Sequence, residues 1–123
     1  FRLVPLVVGD AKPTDVAAAL DRVWGGDETL IVVSTDLSHY HTYDSARNVD
    51  EETGKAIRRL DPAAIDGGRA CGFRALNGLL AAAGERGLEV TALDERNSGD
   101  TAGDRGRVVG YGSYALTPTE IVD

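Results

Sequence analysis

Three ionisable side chains lie within six residues of one another and could form an acid-base or metal site: Asp36, His39 and His41. Asp36 and His39 are three residues apart, so one tight turn would place the carboxylate beside the imidazole, where the acid can orient the base. The same spacing is typical of a turn that Asp36 caps while His39 bonds only to the backbone. His41 adds a His-x-His pattern, which in extended backbone points both rings the same way and could bind a metal, although such pairs are common on surfaces. The cluster predicts an acid-base pair at Asp36 and His39 and leaves the role of His41 open.

The single cysteine, Cys71, is a second candidate for chemistry. It stands before Gly72 at the predicted start of a helix, with Arg69 and Arg74 nearby. A helix N-terminus and adjacent positive charge favour the thiolate, which is both a nucleophile and a soft metal ligand. The alternative is a small buried apolar side chain, the role that lone cysteines often have.

An apolar run leads directly into the predicted acid-base pair. Residues 30–33 are rich in β-branched side chains, as in strands buried on both faces of a sheet, and Asp36 follows within three positions. In open α/β sheets, ligands bind beyond the carboxyl ends of such strands. We predict strands over residues 2–8 and 29–35 joined by a helix over 14–23, which makes a right-handed β-α-β unit with parallel strands.

The rest of the chain shows three more helical patterns and two strand patterns. Helices are predicted from about Tyr43 to Leu60, from Asp61 through Ile65 and from about Gly72 to Arg86, and strands from Leu88 to Leu93 and from Arg107 to Thr117. The helix that starts near Tyr43 places Asp50 on its charged face, opposite its apolar face. Residues 97–106 form a polar, turn-rich connection that is either a plain hairpin loop or an anion cradle. The glycines of residues 110–115 superficially match a dinucleotide fingerprint, but they lie in a strand pattern that no helix follows, which excludes it.

Composition limits the classes of partner. The chain carries 20 acidic and 13 basic residues, a formal charge of -7, which argues against sequence-independent binding of nucleic acid or anionic lipid. It has no apolar run of the length that a membrane span needs, and one cysteine cannot form an internal disulfide. We therefore expect a cytoplasmic protein with no membrane and no nucleic-acid partner.

The chain contains no methionine and starts at Phe1 inside an apolar run, so we expect that it was cut from a longer protein.

Six short segments occur in an order that is similar to one protein family. They are Val4 to Asp10, Ser34 to Tyr40, Ile57 to Asp61, Cys71-Gly72, Asn97 to Asp100 and Val108 to Tyr111. With these segments the chain resembles the Memo family, also called AmmeMemoRadiSam system protein B, from Phe1 to its C-terminus. Memo proteins are similar to the class III extradiol ring-cleaving dioxygenases, in which a histidine that matches His39 is the acid-base catalyst beside a mononuclear iron. The resemblance implies an α/β fold with a mixed, mostly parallel sheet flanked by helices, of which residues 1–123 are the C-terminal half of a single domain.

The resemblance also implies roles for individual residues. Cys71 falls on the cysteine that in Memo proteins joins two histidines in binding iron or copper. Asp36 and His39 fall on the acidic residue and the histidine that line the same pocket, and Thr35 replaces the serine common there. The two metal-binding histidines lie in the first half of the family, and neither His39 nor His41 matches them. A facial-triad iron site needs more ligands than remain, so we expect iron or copper in the full-length parent and none bound by this chain alone.

The implied function is that of part of a metal-binding, dioxygenase-like oxidoreductase, with Cys71 on the metal, His39 as acid-base catalyst and Asp36 orienting it. The alternative is a non-enzymatic peptide-binding or metal-sequestering module in a signalling or macromolecule-modification pathway. The implied partners are the missing N-terminal half, a second copy of the chain, and proteins of the AMMECR and radical SAM types. Uncovered sheet edges and apolar faces would favour self-association.

Overall fold

The computed structural model describes residues 1–101 and 103–120 and contains three helices and three strands. In chain order these are α1 (Pro13–Val23), β1 (His39–His41), α2 (Tyr43–Arg58), α3 (Phe73–Glu85), β2 (Leu88–Asn97) and β3 (Val108–Pro118). Short 3-10 turns at Pro62–Ala64 and Ser98–Asp100 follow α2 and β2. The three long helices predicted from the sequence are confirmed, each within three residues of its predicted ends. Among the described residues, no helix is both long enough and apolar enough to cross a bilayer.

Local signals explain where the helices begin and end. Pro13 occupies the first position of α1, where the missing N–H of proline costs no hydrogen bond. Thr42 caps α2, its hydroxyl accepting the backbone N–H of Ser45 at 3.4 Å. Gly87 follows α3 with a φ of 65°, the left-handed conformation that glycine adopts most readily after a helix. These signals act over a few residues, which is why the helices were predictable.

The sheet is antiparallel, so the predicted mostly parallel sheet is wrong. Its order is β1-β3-β2, and β3 pairs antiparallel with both neighbours. Residues 2–8 and 29–35, predicted as parallel strands, lie outside it. An apolar run indicates burial of side chains, but a strand also needs a hydrogen-bonding neighbour, and neither segment is paired in this sheet.

Residues 30–33 nevertheless keep the alternating exposure of a strand. Leu30 and Val32 are 85% and 75% exposed, whereas Ile31 and Val33 pack against the hydrophobic core. The segment therefore covers the core with one face and leaves an apolar face in solvent. Leu3 and Val7, in the other unpaired segment, are likewise exposed.

Among the residues that the structure describes, two clusters of buried side chains make the core. The larger one is formed by Leu37, Ala56, Ile57, Ile65, Ala70, Leu76 and Leu80. The smaller one joins α1 to α3 through Val16, Leu20 and Leu79. Val33 and Leu116 pack against both clusters, so the residues just before the predicted acid-base pair are fixed by the core.

Candidate functional site

The structure brings Asp36, His39 and Cys71 together, although Cys71 is far from the other two in sequence. One ligand atom from each residue, a carboxylate oxygen, an imidazole nitrogen and Sγ, lies within 4.8 Å of the other two. Asp36 Oδ2 is 3.4 Å from His39 Nε2, with 48% and 36% of the two side chains exposed. A solute can therefore reach all three groups. Their chemical roles stay predictions, and what the structure shows is that the three groups are close together.

Cys71 and Asp36 are held together by two hydrogen bonds, one donated by the backbone N–H of each residue. The Cys71 N–H donates to the Asp36 carbonyl oxygen at 3.3 Å, and the Asp36 N–H donates to Cys71 Sγ at 3.3 Å. The adjacent Gly72 lets the two segments approach closely, because a Cβ there would lie 2.8 Å from Thr35 Cβ and 3.1 Å from the Ser34 carbonyl oxygen. The thiol is exposed, so the alternative of a buried apolar cysteine is wrong.

The turn that carries Asp36 and His39 is fixed from behind by β3 and α2. The Leu37 N–H donates to the Gly110 carbonyl at 2.9 Å, and the Gly110 N–H donates to the Ser38 carbonyl at 2.8 Å. From α2, Asp50 Oδ1 accepts the Ser38 N–H at 3.0 Å. The carboxylate of Asp50 packs directly on Gly110, where a Cβ would be 2.0 Å from Asp50 Oδ2. Leu37 and Ser38 are buried, so the turn presents His39 from a rigid base.

Sequence reasoning missed Asp50, because helical periodicity placed it on the charged face of α2. The structure shows it partly buried, with burial raising the pKa of its carboxyl above the ordinary value of 3.8 and the Ser38 N–H offsetting part of that rise. A carboxylate on a charged helix face is ordinary, and only the fold shows that β3 covers this one. Asp50 is therefore part of the support of the site, behind the exposed cluster.

Asp50 predicts a pH dependence of stability. Because the folded state binds this proton more tightly than the unfolded state, the free energy of unfolding falls as pH rises from the ordinary Asp pKa through the raised folded value. Asp50→Asn keeps an acceptor for the Ser38 N–H but does not ionise. We therefore expect its free energy of unfolding, relative to that of wild type, to increase as the pH is raised from about 4 to about 7. Asp50→Ala should instead lose about 1–3 kcal/mol, because it leaves that buried N–H unpaired. Urea unfolding at both pH values measures this; an Asn-minus-wild-type difference that does not change with pH would contradict it.

His41 does not join the metal-ligand cluster. Tyr40, between the two histidines, has a φ of 66°, so the extended backbone assumed for a His-x-His metal pair does not form. His41 Nδ1 lies 3.5 Å from Ser45 Oγ, at the start of α2. The three clustered ligand groups include His39 and not His41.

The connection between β2 and β3 is a hairpin loop, as one of the two alternatives predicted, although Ala102 lies outside the described residues. Asn97 and Asp100 cap its 3-10 turn reciprocally. The Tyr43 hydroxyl donates to Asp100 and holds the pKa of that carboxyl below its usual range. An ionised carboxylate at this position repels anions, so the structure favours the plain hairpin loop over the anion cradle. Residues 110–115 lie within β3, in agreement with the exclusion of a dinucleotide fingerprint.

Comparisons with known proteins point to one family. The family model described as Memo-like protein matches residues 1–115. A MEMO1 family protein of Methanosarcina acetivorans is 31% identical over 94% of this chain and 48% of its own length. Those of Sulfolobus acidocaldarius and Aquifex aeolicus are each 32% identical over 90% of this chain, and over 43% and 45% of their own lengths. The chain spans about half the length of the curated relatives it matches.

Proposed function

The chain belongs to the Memo family, and on that basis we propose that it supplies part of the metal centre of a dioxygenase-like oxidoreductase. The observation that carries the proposal is the convergence of Asp36, His39 and Cys71 within 4.8 Å. We further propose that the chain is the C-terminal half of a single domain in a protein of the relatives' length, termed the longer protein.

The cluster fits a redox metal such as iron or copper, with Cys71 as the ligand from this chain. The Cys71 thiol is exposed, and it lies within 4.8 Å of the proposed proton-transfer groups of Asp36 and His39. A thiolate is a soft ligand that suits Cu(I), and imidazole suits both metals. When bound, such a metal would supply the redox chemistry that acts on dioxygen.

Cys71 is the proposed metal ligand from this chain, and His39 with Asp36 is the proposed proton-transfer pair. The Asp36 carboxylate lies close enough to His39 Nε2 to orient the ring. At 3.4 Å and with both side chains partly exposed, the pair contributes little to the stability of the fold. A role in proton transfer therefore does not conflict with a structural role. The imidazole then takes a proton from a bound substrate or returns it.

Two further histidine ligands are proposed to come from the longer protein, because the chain has only His39 and His41 and the resemblance assigns neither as a family ligand. The apolar faces at Leu30 and Val32 and at Leu3 and Val7 support this assembly, since they are exposed in the chain. Strands added beside them would cover this apolar surface. A second copy of the chain is the competing occupant, because such surface also promotes self-association.

Oxygen consumption by the iron-loaded longer protein tests the enzymatic role. With aromatic diols as candidate substrates, we expect His39→Ala to lower the rate by about 10²–10⁴-fold, the usual contribution of a general acid-base group. Iron content should stay at the wild-type level, because His39 is not proposed as a ligand. His41→Ala is the matched control and should keep the wild-type rate, since His41 lies outside the cluster. A His39→Ala protein that consumes oxygen like wild type would contradict the acid-base role.

A metal-sequestering protein is the second candidate function, favoured by the exposure of the soft thiol of Cys71. It predicts tight Cu(I) binding by the longer protein, without oxygen consumption. Under this function Cys71→Ser removes copper binding, whereas His39→Ala changes neither binding nor turnover. The two functions are therefore separated by the effect of His39→Ala.

A further inference from the structure

Thr35 joins the two chain segments that carry the candidate metal cluster. Its Oγ1 accepts the Gly72 N–H at 2.7 Å, which binds residue 35 to the segment of Cys71. The same oxygen is 2.7 Å from the Asp36 carbonyl oxygen and 3.6 Å from Cys71 Sγ. Residue 35 is thus in contact with Asp36 and with the thiol at once.

The hydrogen-bonding capacity of a hydroxyl matches these three neighbours. A threonine hydroxyl offers one hydrogen and two acceptor positions. The Gly72 N–H takes an acceptor position, and the hydrogen can be donated to the Asp36 carbonyl or, after rotation about the Cβ–Oγ bond, to Cys71 Sγ. Valine has the same shape but neither function, whereas serine keeps both.

Close packing makes the contact rigid. A Cβ at Gly72 would lie 2.9 Å from Thr35 Oγ1 as well as 2.8 Å from Thr35 Cβ, so the Gly72 backbone rests directly on this side chain. Thr35 is itself partly buried, and its position is fixed by Val33 in the core two residues before it. Movement of residue 35 would therefore change the spacing between Cys71 and the Asp36–His39 pair.

We propose that Thr35 is the positioning residue of this cluster, its hydroxyl holding Cys71 Sγ, the proposed metal ligand, at a fixed distance from the Asp36–His39 pair. The inference rests on the proposed metal function. It assigns the spacing to a side chain that would not itself bind the metal. Loss of the hydroxyl leaves the Gly72 N–H without its acceptor, so the Cys71 segment keeps only its hydrogen bonds to Asp36 and is held less firmly.

Hydrogen exchange at the Gly72 amide tests the contact without any metal. In the 123-residue chain, we expect Thr35→Val to accelerate exchange of this amide by roughly tenfold, because its hydrogen bond is lost. Thr35→Ser should keep the wild-type rate. Unfolding midpoints measured first establish that both variants fold. An unchanged Gly72 rate in Thr35→Val would overturn the proposal.

A Co²⁺ titration of the longer protein tests the consequence for the metal, with the sulfur-to-metal charge-transfer band reporting the bond to Cys71. We expect Thr35→Val to weaken Co²⁺ binding by about 10–100-fold, the usual effect of losing a group that orients a ligand, and Thr35→Ser to stay within a few-fold of wild type. Equal affinities in wild type and Thr35→Val would overturn the role of Thr35 alone. Absence of the band in the wild-type longer protein would overturn the metal site and this role with it.

Discussion

Replacing Cys71 by serine is expected to weaken binding of Cu(I) or iron by the longer protein at least about a hundredfold. Loss of a group that only orients a ligand costs about 10–100-fold in affinity, and Cys71 is proposed as a ligand itself. A serine hydroxyl is a hard, protonated donor and cannot replace a thiolate on Cu(I). Its oxygen can still accept the Asp36 N–H that Sγ accepts, so the fold should be retained. Competition with a chelator of known affinity, followed by metal analysis, measures the change.

The 123-residue chain provides the second half of that experiment. One thiolate beside the Asp36–His39 pair is too small a ligand set for a facial-triad iron site, so the chain should bind either metal weakly or not at all. Tight stoichiometric binding by the chain would show that Asp36, His39 and Cys71 suffice as ligands. Unchanged affinity of Cys71→Ser in the longer protein would instead exclude Cys71 as a ligand. His41→Ala serves as control, because it removes a possible ligand outside the cluster.

The parts of the fold that were predictable from the sequence are those set by local signals. Pro13 begins α1, Thr42 caps α2 and Gly87 ends α3, and each signal acts within about one turn of its helix. The pairing of Asp36 with His39 is local in the same sense. Their contact depends on a single turn, and the structure places their side chains 3.4 Å apart.

The sheet was not predictable in this way, because strand pairing depends on distant neighbours. Residues 30–33 have the composition of a strand buried on both faces, yet Leu30 and Val32 are exposed and the sheet forms around β3 instead. Composition reports which side chains avoid water, not which backbone lies beside them. The prediction of a mostly parallel sheet was therefore wrong, although the helices around the sheet were predicted correctly.

In the candidate site, too, the contacts between residues close in sequence were predictable and those between distant residues were not. The convergence of Cys71 with Asp36 spans 35 residues, and spacing alone left Cys71 either as a ligand or as a buried apolar side chain. The contributions of Asp50 and Thr35 became visible only when α2, β3 and the Gly72 backbone were placed around them. Residues that hold a site are harder to recognise than residues that react, because their types are common everywhere in proteins.

The same dependence on distant neighbours gives a large expected effect on stability at Gly78 of α3. Gly78 is buried where α3 crosses α1, and a Cβ there would lie 2.2 Å from Val16 Cγ1 and 2.3 Å from Val16 Cβ. Rotation of the valine side chain cannot move its own Cβ, so the two helices must separate. We expect Gly78→Ala to lower the free energy of unfolding by about 1–3 kcal/mol, the cost of overpacking a core, even though alanine is the better helix former.

Gly84→Ala, in the same helix, is the matched control and should have the opposite sign. Gly84 is exposed, and a Cβ there would meet nothing within 4 Å, so the substitution changes only helix propensity. Alanine should stabilise the protein by up to about 1 kcal/mol, and by less than that near the end of the helix. Urea unfolding of both variants separates packing from propensity, because the chemical change is identical. If Gly78→Ala were as stable as Gly84→Ala, the close contact between α1 and α3 would be wrong, and with it the placement of Val16 in the smaller core cluster.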